Sequence, residues 1–311
     1  MNKQNYAVID FMRCILILMV ILIHIVHFGN LYPDIKNGIL SFLMPSFLFI
    51  TGYLVNINKP LKAFAVYIVR ILLPYLIMAG GYMVMSLYLP VRDGISVLDV
   101  PTALHVLFVT SIGPYWFLHA MMVCGICYYA AWHLFPKLSD TAKFCLLASL
   151  LLTVAMYTPV LNVKCAVYYF LGAGARLFIK DFNRLCPKTF WPAIPFALIL
   201  MQKVWIDWWN ISVLGCVACF LAVSSALYEH TGNRLRKAML YIGKNTLPIF
   251  IFHPIFTMTA KFLVPIFSFD PTGIAHTVFT IAICLAGSIG IGLLFDVTRL
   301  SYIFGKRRIM R

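Results

Sequence analysis

The chain has 311 residues, 62% of them hydrophobic and 11% charged, where soluble domains average about 45–50% and about 25%. That balance excludes a soluble globular fold, and at about 20 apolar residues per bilayer crossing it predicts an all-α, polytopic integral membrane protein with about ten transmembrane helices. The net charge of +15 does not point to nucleic acid, because the basic residues sit in short breaks between apolar runs and form no continuous basic domain.

In chain order, spans are predicted at Asp10–Phe28, Ile39–Val55, Val66–Tyr88, Tyr115–His133, Ala142–Tyr157, Cys165–Ile179, Phe190–Trp205, Ile211–Tyr228, Leu247–Phe267 and Ala275–Phe295. The first lacks a small-residue cleavage site and reads as a retained span, not a signal peptide. The segment Leu89–Pro114, with Arg92, Asp93, Asp99 and His105, is longer than a connector needs to be; it reads as a lid or re-entrant element, or equally as a solvated loop. No heptad run, low-complexity tract or internal repeat is visible. With a cytoplasmic N-terminus, Lys36, Arg92, Lys164, Lys203 and Lys261 fall outside, and about 20 of the 25 basic residues fall inside. Both termini are therefore expected in the cytoplasm.

Polar groups within the apolar runs are the informative positions, since an ionisable side chain there costs several kcal/mol unless it is paired or lines a cavity. Arg13 and His24 stand eleven residues apart, about three turns plus 20°, and so share one face of the first span roughly 16 Å apart along its axis. They are expected to look into one cavity, with an anion-binding point near the inner surface and a group able to take and return a proton deeper in. The alternative for His24 is a structural histidine bonded to a neighbouring helix. Arg70 sits similarly, just before Pro74, whose kink would open room for a phosphate-bearing ligand. His253 precedes Pro254 and is either a site residue or the partner of a kink; Trp116 is either a pocket wall or an interfacial aromatic.

Too few carboxylates lie at membrane depth for a metal site with His24 and His27, or for a glycosidase pair. Cys124/Cys127 and Cys216/Cys219 have C-x-x-C spacing inside apolar runs and read as packing residues. Gly287, Gly290 and Gly292 lack the Lys-Ser/Thr of a phosphate loop and read as a helix contact.

The run from Asp10 through Arg13 to His24 resembles the Arg/Lys-x10-His signature of the membrane-bound acyltransferase 3 family. Met44-Pro45-Ser46-Phe47-Leu48-Phe49-Ile50-Thr51-Gly52-Tyr53-Leu54 is similar to its second-span motif, Trp116-Phe117-Leu118 to its W-F-L element, and Ile242-Gly243-Lys244-Asn245-Thr246 with Ile249–His253 to its late elements. Tyr67 stands where the first arginine of an R-x-x-R element is found, with Arg70 as the second. Leu43 replaces a histidine, and Thr51 a serine.

The resemblance implies a single transmembrane acyltransferase domain over residues 1–311 in the inner (plasma) membrane. It resembles the short O-acetyltransferase type, similar to fucose 4-O-acetylase and enterobacterial common antigen O-acetyltransferases, without the extra hydrolase-like domain of longer relatives. The implied partners are acetyl-CoA as cosubstrate, a surface glycan or lipid-linked sugar as acceptor, and membrane lipids; no cofactor is permanently bound. By the same resemblance His24 is the base, Arg13 and Arg70 hold the donor, and His24 with Arg13 forms the catalytic set. Thr51, Tyr53, Trp116 and His253 are expected around the pocket, the first three as oxyanion donors; an acyl-His intermediate is the variant mechanism. The competing class is a transporter or flippase for a lipid-linked glycan.

Overall fold

A backbone crossing an apolar phase has to close its hydrogen bonds within itself, and a helix does so. The computed structural model of the chain describes residues 3–89, 91, 94–179, 181–202 and 207–311 and, among them, is 79% helix with no strand. Arg92, Asp93, Lys203 and Trp205, named above, lie outside the described residues.

The helices are α1 (Lys3–His24), α2 (Val26–Leu31), α3 (Pro33–Leu54), α4 (Leu61–Ser86), α5 (Val100–His105), α6 (Trp116–His133), α7 (Asp140–Tyr157), α8 (Val163–Phe178), α9 (Phe182–Leu185), α10 (Ala193–Met201), α11 (Ile211–His230), α12 (Asn233–Lys244), α13 (Thr246–Ala260) and α14 (Ile274–Val297). Their starts follow local chemistry. Asp99, Ser139, Asn162 and Asn210 each accept a first-turn backbone N–H with their side chains, as N-caps do.

Among the described residues, seven segments are long and apolar enough to cross a membrane: Tyr6–His24, Pro33–Leu54, Leu61–Ser86, Asp140–Tyr157, Ile211–His230, Thr246–Phe267 and Ile274–Val297. An eighth is broken. From α5 the chain runs through a π turn (Val106–Thr110), bends at Ser111 (φ 64°), and enters α6 through a short 3-10 turn, with 41° between the two halves. The second half of the expected loop Leu89–Pro114 is thus largely helical. The spans expected at Cys165–Ile179 and Phe190–Trp205 correspond to α8, with 16 residues, and α10, with nine. Both fall below membrane length, so length and composition support seven or eight crossings where about ten are predicted.

The helix α1 is central, packing against α3, α11, α12, α13 and α14. Its start, the start of α13 and the segment after α14 meet at one end of the bundle, called the lower end below. Backbone contact replaces side-chain packing at three points on two crossings, as small residues permit in membranes. A Cβ on Gly52 would collide with the Tyr169 carbonyl, one on Gly172 with the Phe49 carbonyl, and one on Gly243 with the Asp10 carbonyl. The first two lock α3 to α8, and the third locks α12 to α1.

Gly172→Ala should therefore cost at least about 1–3 kcal/mol through overpacking, whereas Gly290, with nothing within 4 Å of its Cβ position, should tolerate Ala or gain about 1 kcal/mol of helix propensity. Thermal unfolding of the two purified variants checks this, and equal midpoints would disprove the close contact.

Candidate functional site

The hydrogen-bonded ladder of α1 stops at His24 because Ile25 is extended (φ −76°, ψ 102°). His24 Nδ1 lies 2.7 Å from the Val20 carbonyl. A carbonyl only accepts, so the neutral ring carries its proton on Nδ1 and its lone pair on Nε2. The second histidine is oriented by a proline. Pro254 has no N–H, which deprives the Phe250 carbonyl four residues earlier of its ladder donor, and His253 Nδ1 supplies that donor at 2.8 Å. Its proton is fixed on Nδ1, and Nε2, fully buried, makes no hydrogen bond among the described residues. The two rings meet edge to face with centroids 5.2 Å apart. Two residues expected at the site, from the first span and the late motif, are thus brought together.

One turn further up stands a second pair. His27 meets His276 at 5.3 Å and 86°. His276 Nε2 donates to the Ala260 carbonyl at 3.0 Å, and its buried Nδ1 has no partner among the described residues. Sequence reasoning missed His276; the signal was an ionisable residue opening an otherwise apolar span. Among the described residues no three His, Cys, Asp or Glu side chains converge as a metal site would require.

At the lower end, Arg13 Nη1 donates to Asp10 Oδ1 at 3.1 Å. Lys244 and Arg311 lie within electrostatic reach of Asp10, and Tyr67 and Arg311 within reach of Arg13. Arg70 Nε donates to the Gly305 carbonyl at 3.2 Å, beside Lys306. Burial, reinforced by the Arg311 and Arg70 guanidiniums, pushes the Lys306 ammonium down to about 8. The late motif Ile242–Thr246 organises this end. Gly243 permits the α1 contact, and Lys244 faces Asp10. Asn245 exchanges two hydrogen bonds with the Arg311 backbone, and the Thr246 hydroxyl donates to Gly243 O at 2.5 Å.

Arg13 and His24 do share one face of α1, but Ile17 and Val20, between them on that face, are 0% and 1% exposed. The continuous wet chamber expected from the spacing is therefore closed by packed apolar side chains. Thr51 and Tyr53, expected beside the reacting carbonyl, are instead in the last turn of α3. The Thr51 hydroxyl donates to Phe47 O at 2.7 Å, and the Tyr53 ring packs on Phe182 and under Arg176. Trp116 stands against Trp208, which Tyr168 also contacts and whose Nε1 donates to the Leu40 carbonyl. His119 stacks on Tyr75. All nine cysteines are free thiols.

A family model described as an acyltransferase domain, that of the acyltransferase 3 family, matches residues 6–293. No curated protein and no solved structure matches the chain.

Two outcomes follow from this geometry. Pro254→Ala restores an N–H that competes for Phe250 O, so the 15N spectrum of His253 should change from a single Nδ1–H tautomer to a mixture; an unchanged spectrum would remove the proline from the orientation of this ring. Lys306 has a folded value below the ordinary 10.5, so the folded state sheds its proton first, and stability rises as pH climbs from about 8 toward 10.5. Below that window the cost of the half-buried cation is fully present. Lys306→Met should accordingly unfold at a higher temperature than the parent at pH 7 and lose the advantage above pH 10.5.

Proposed function

The chain belongs to the acyltransferase 3 family, and from that premise we propose that it is a membrane O-acyltransferase that moves an acetyl group from cytosolic acetyl-CoA to a sugar hydroxyl of a cell-surface polysaccharide or its lipid-linked precursor. The observation that carries this reading is the polarity of α1. One end stands in a cluster of cations, and the other presents a histidine whose proton-accepting nitrogen is defined and whose ring meets a second histidine.

In the reaction the acceptor O–H gives its proton to His24 Nε2 as its oxygen attacks the thioester carbonyl carbon. The C–S bond then breaks, CoA leaves as a thiolate, and that thiolate takes the proton back from His24. An ester and a thiol are formed, and the histidines return to their starting state. His253 holds the second lone pair beside the reacting groups. Arg13 and Arg70 serve the donor nucleotide by charge and bidentate geometry. Thr51 and Tyr53, at the lower end, belong with the passage of the donor's arm, and Trp116 with Trp208 walls the acceptor side. The pantetheine arm reaches His24 by parting the Ile17–Val20 seam.

The same proposal places residues 1–311 as one domain of the short O-acetyltransferase type in the inner (plasma) membrane. Ten crossings result when α8 and α10 are counted as short ones beside the seven long segments and the bent pair. An even number returns the chain to the side on which it began, which agrees with Asn245 binding Arg311 beneath α1. The basic residues concentrated in the lower breaks favour the cytoplasm as that side.

The test is transfer of labelled acetyl from acetyl-CoA by the purified protein to a lipid-linked glycan acceptor. His24→Ala should lower turnover by roughly 10²–10⁴-fold, the usual worth of a general base, while elution and melting stay those of the parent. Retained turnover in that variant would remove His24 from the chemistry. Movement of the glycan across vesicles without acetyl transfer would replace the enzyme by a flippase.

A further inference from the structure

The segment after α14 is tied down residue by residue. Asp296 accepts the backbone N–H of Ile309 on one carboxylate oxygen, at 2.7 Å, and of Met310 on the other, at 3.0 Å. Asn245 takes the Arg311 N–H at 2.7 Å and returns its own amide to the Arg311 carbonyl at 3.1 Å. Ser301 donates to Arg307 O, Arg70 to Gly305 O, and Ile309 and Met310 are buried. A solvated basic tail serving only membrane orientation needs none of these ties; the exposed Arg307 and Arg308 suffice for that.

The ties hold Lys306 and Arg311 against Arg70 and Arg13. Arg13, Lys244 and Arg311 stand around Asp10, which Arg13 engages, and Lys306 and Arg70 stand near Arg311, with Asp296 as the second carboxylate of this end. Clustered like charges, two of them half-buried, work against folding unless an anion shares the site. Five cations against these two carboxylates leave an excess of about three positive charges, complementary to the roughly four negative charges of a CoA nucleotide, from one phosphate monoester and one diphosphate.

We propose that residues 305–311 are a working part of the donor site, with Lys306 and Arg311 joining Arg70 around the phosphates of the CoA nucleotide and Asp296 and Asn245 as the positioning residues that hold them there. This rests on the acyltransferase reading and adds to it a binding element from the far end of the chain. The shared chemistry is a phosphate, which an anionic lipid headgroup also carries, so the test separates the two sources.

CoA and 3′-dephospho-CoA are titrated into the full-length protein in nanodiscs of phosphatidylcholine alone and in nanodiscs containing phosphatidylglycerol. Lys306→Met and Arg311→Gln should each weaken CoA binding at least tenfold in phosphatidylcholine and erase the preference for CoA over 3′-dephospho-CoA, with kcat at saturating donor retained. Asp296→Asn should weaken CoA binding as well, and Arg308→Gln should bind like the parent. Lys306→Met is expected to melt higher, so weaker binding in that variant is not loss of fold. Unchanged CoA binding in the Lys306 and Arg311 variants while transfer continues would overturn the role of the tail and leave the acyltransferase standing. An effect confined to phosphatidylglycerol nanodiscs would overturn it in favour of a lipid headgroup. A parent protein that neither binds CoA nor transfers acetyl would overturn both.

Discussion

The contact on which both ends of the site depend is the approach of α12 to α1 at Gly243, where the missing side chain lets the two backbones touch. From that fixed point α13 begins at Thr246, its first turn tied by the Thr246 hydroxyl to the Gly243 carbonyl, and rises to place His253 opposite His24. From the same point Asn245 reaches the Arg311 backbone and anchors the last segment beneath α1. A side chain at Gly243 would push α12 away from α1 and displace both the histidine partner above and the cationic groups below. Membrane helices gain little from burying apolar surface against lipid, so contacts of this kind, with hydrogen bonds around them, carry the specificity.

What was legible of the candidate site lies within single helices. The eleven-residue interval between Arg13 and His24 is a property of α1 alone, and helical periodicity places both on one face whatever surrounds them. The meaning of His253 was half legible. The proline after it announced a free carbonyl, but that the histidine itself answers that carbonyl, and which histidine it meets, depends on how α13 packs against α1. His276 and the docked tail were not legible, because each acquires its role from residues far away in the chain: His276 from His27 and Ala260, and the tail from Asn245, Asp296 and Arg70.

Seven of the expected spans coincide with segments of membrane length, and two others correspond to the shorter helices α8 and α10. In α8, Gly172 and Ala173 lie on the face in backbone contact with α3, while Gly174 faces Phe144 of α7; such a helix is held by its neighbours and need not match the bilayer by itself. The bend at Ser111 likewise sits inside a stretch whose composition does not distinguish a loop from a broken helix. The cavity inferred from spacing was the other divergence. Sharing a face says nothing of what fills the interval, and Ile17 and Val20 fill it.

The facing imidazoles have one more consequence. With each Nδ1 proton committed to a carbonyl of its own helix, neither ring can change tautomer without giving up that bond. In the reaction proposed above, a pair set in advance in this way spends no reorientation before it meets an alcohol.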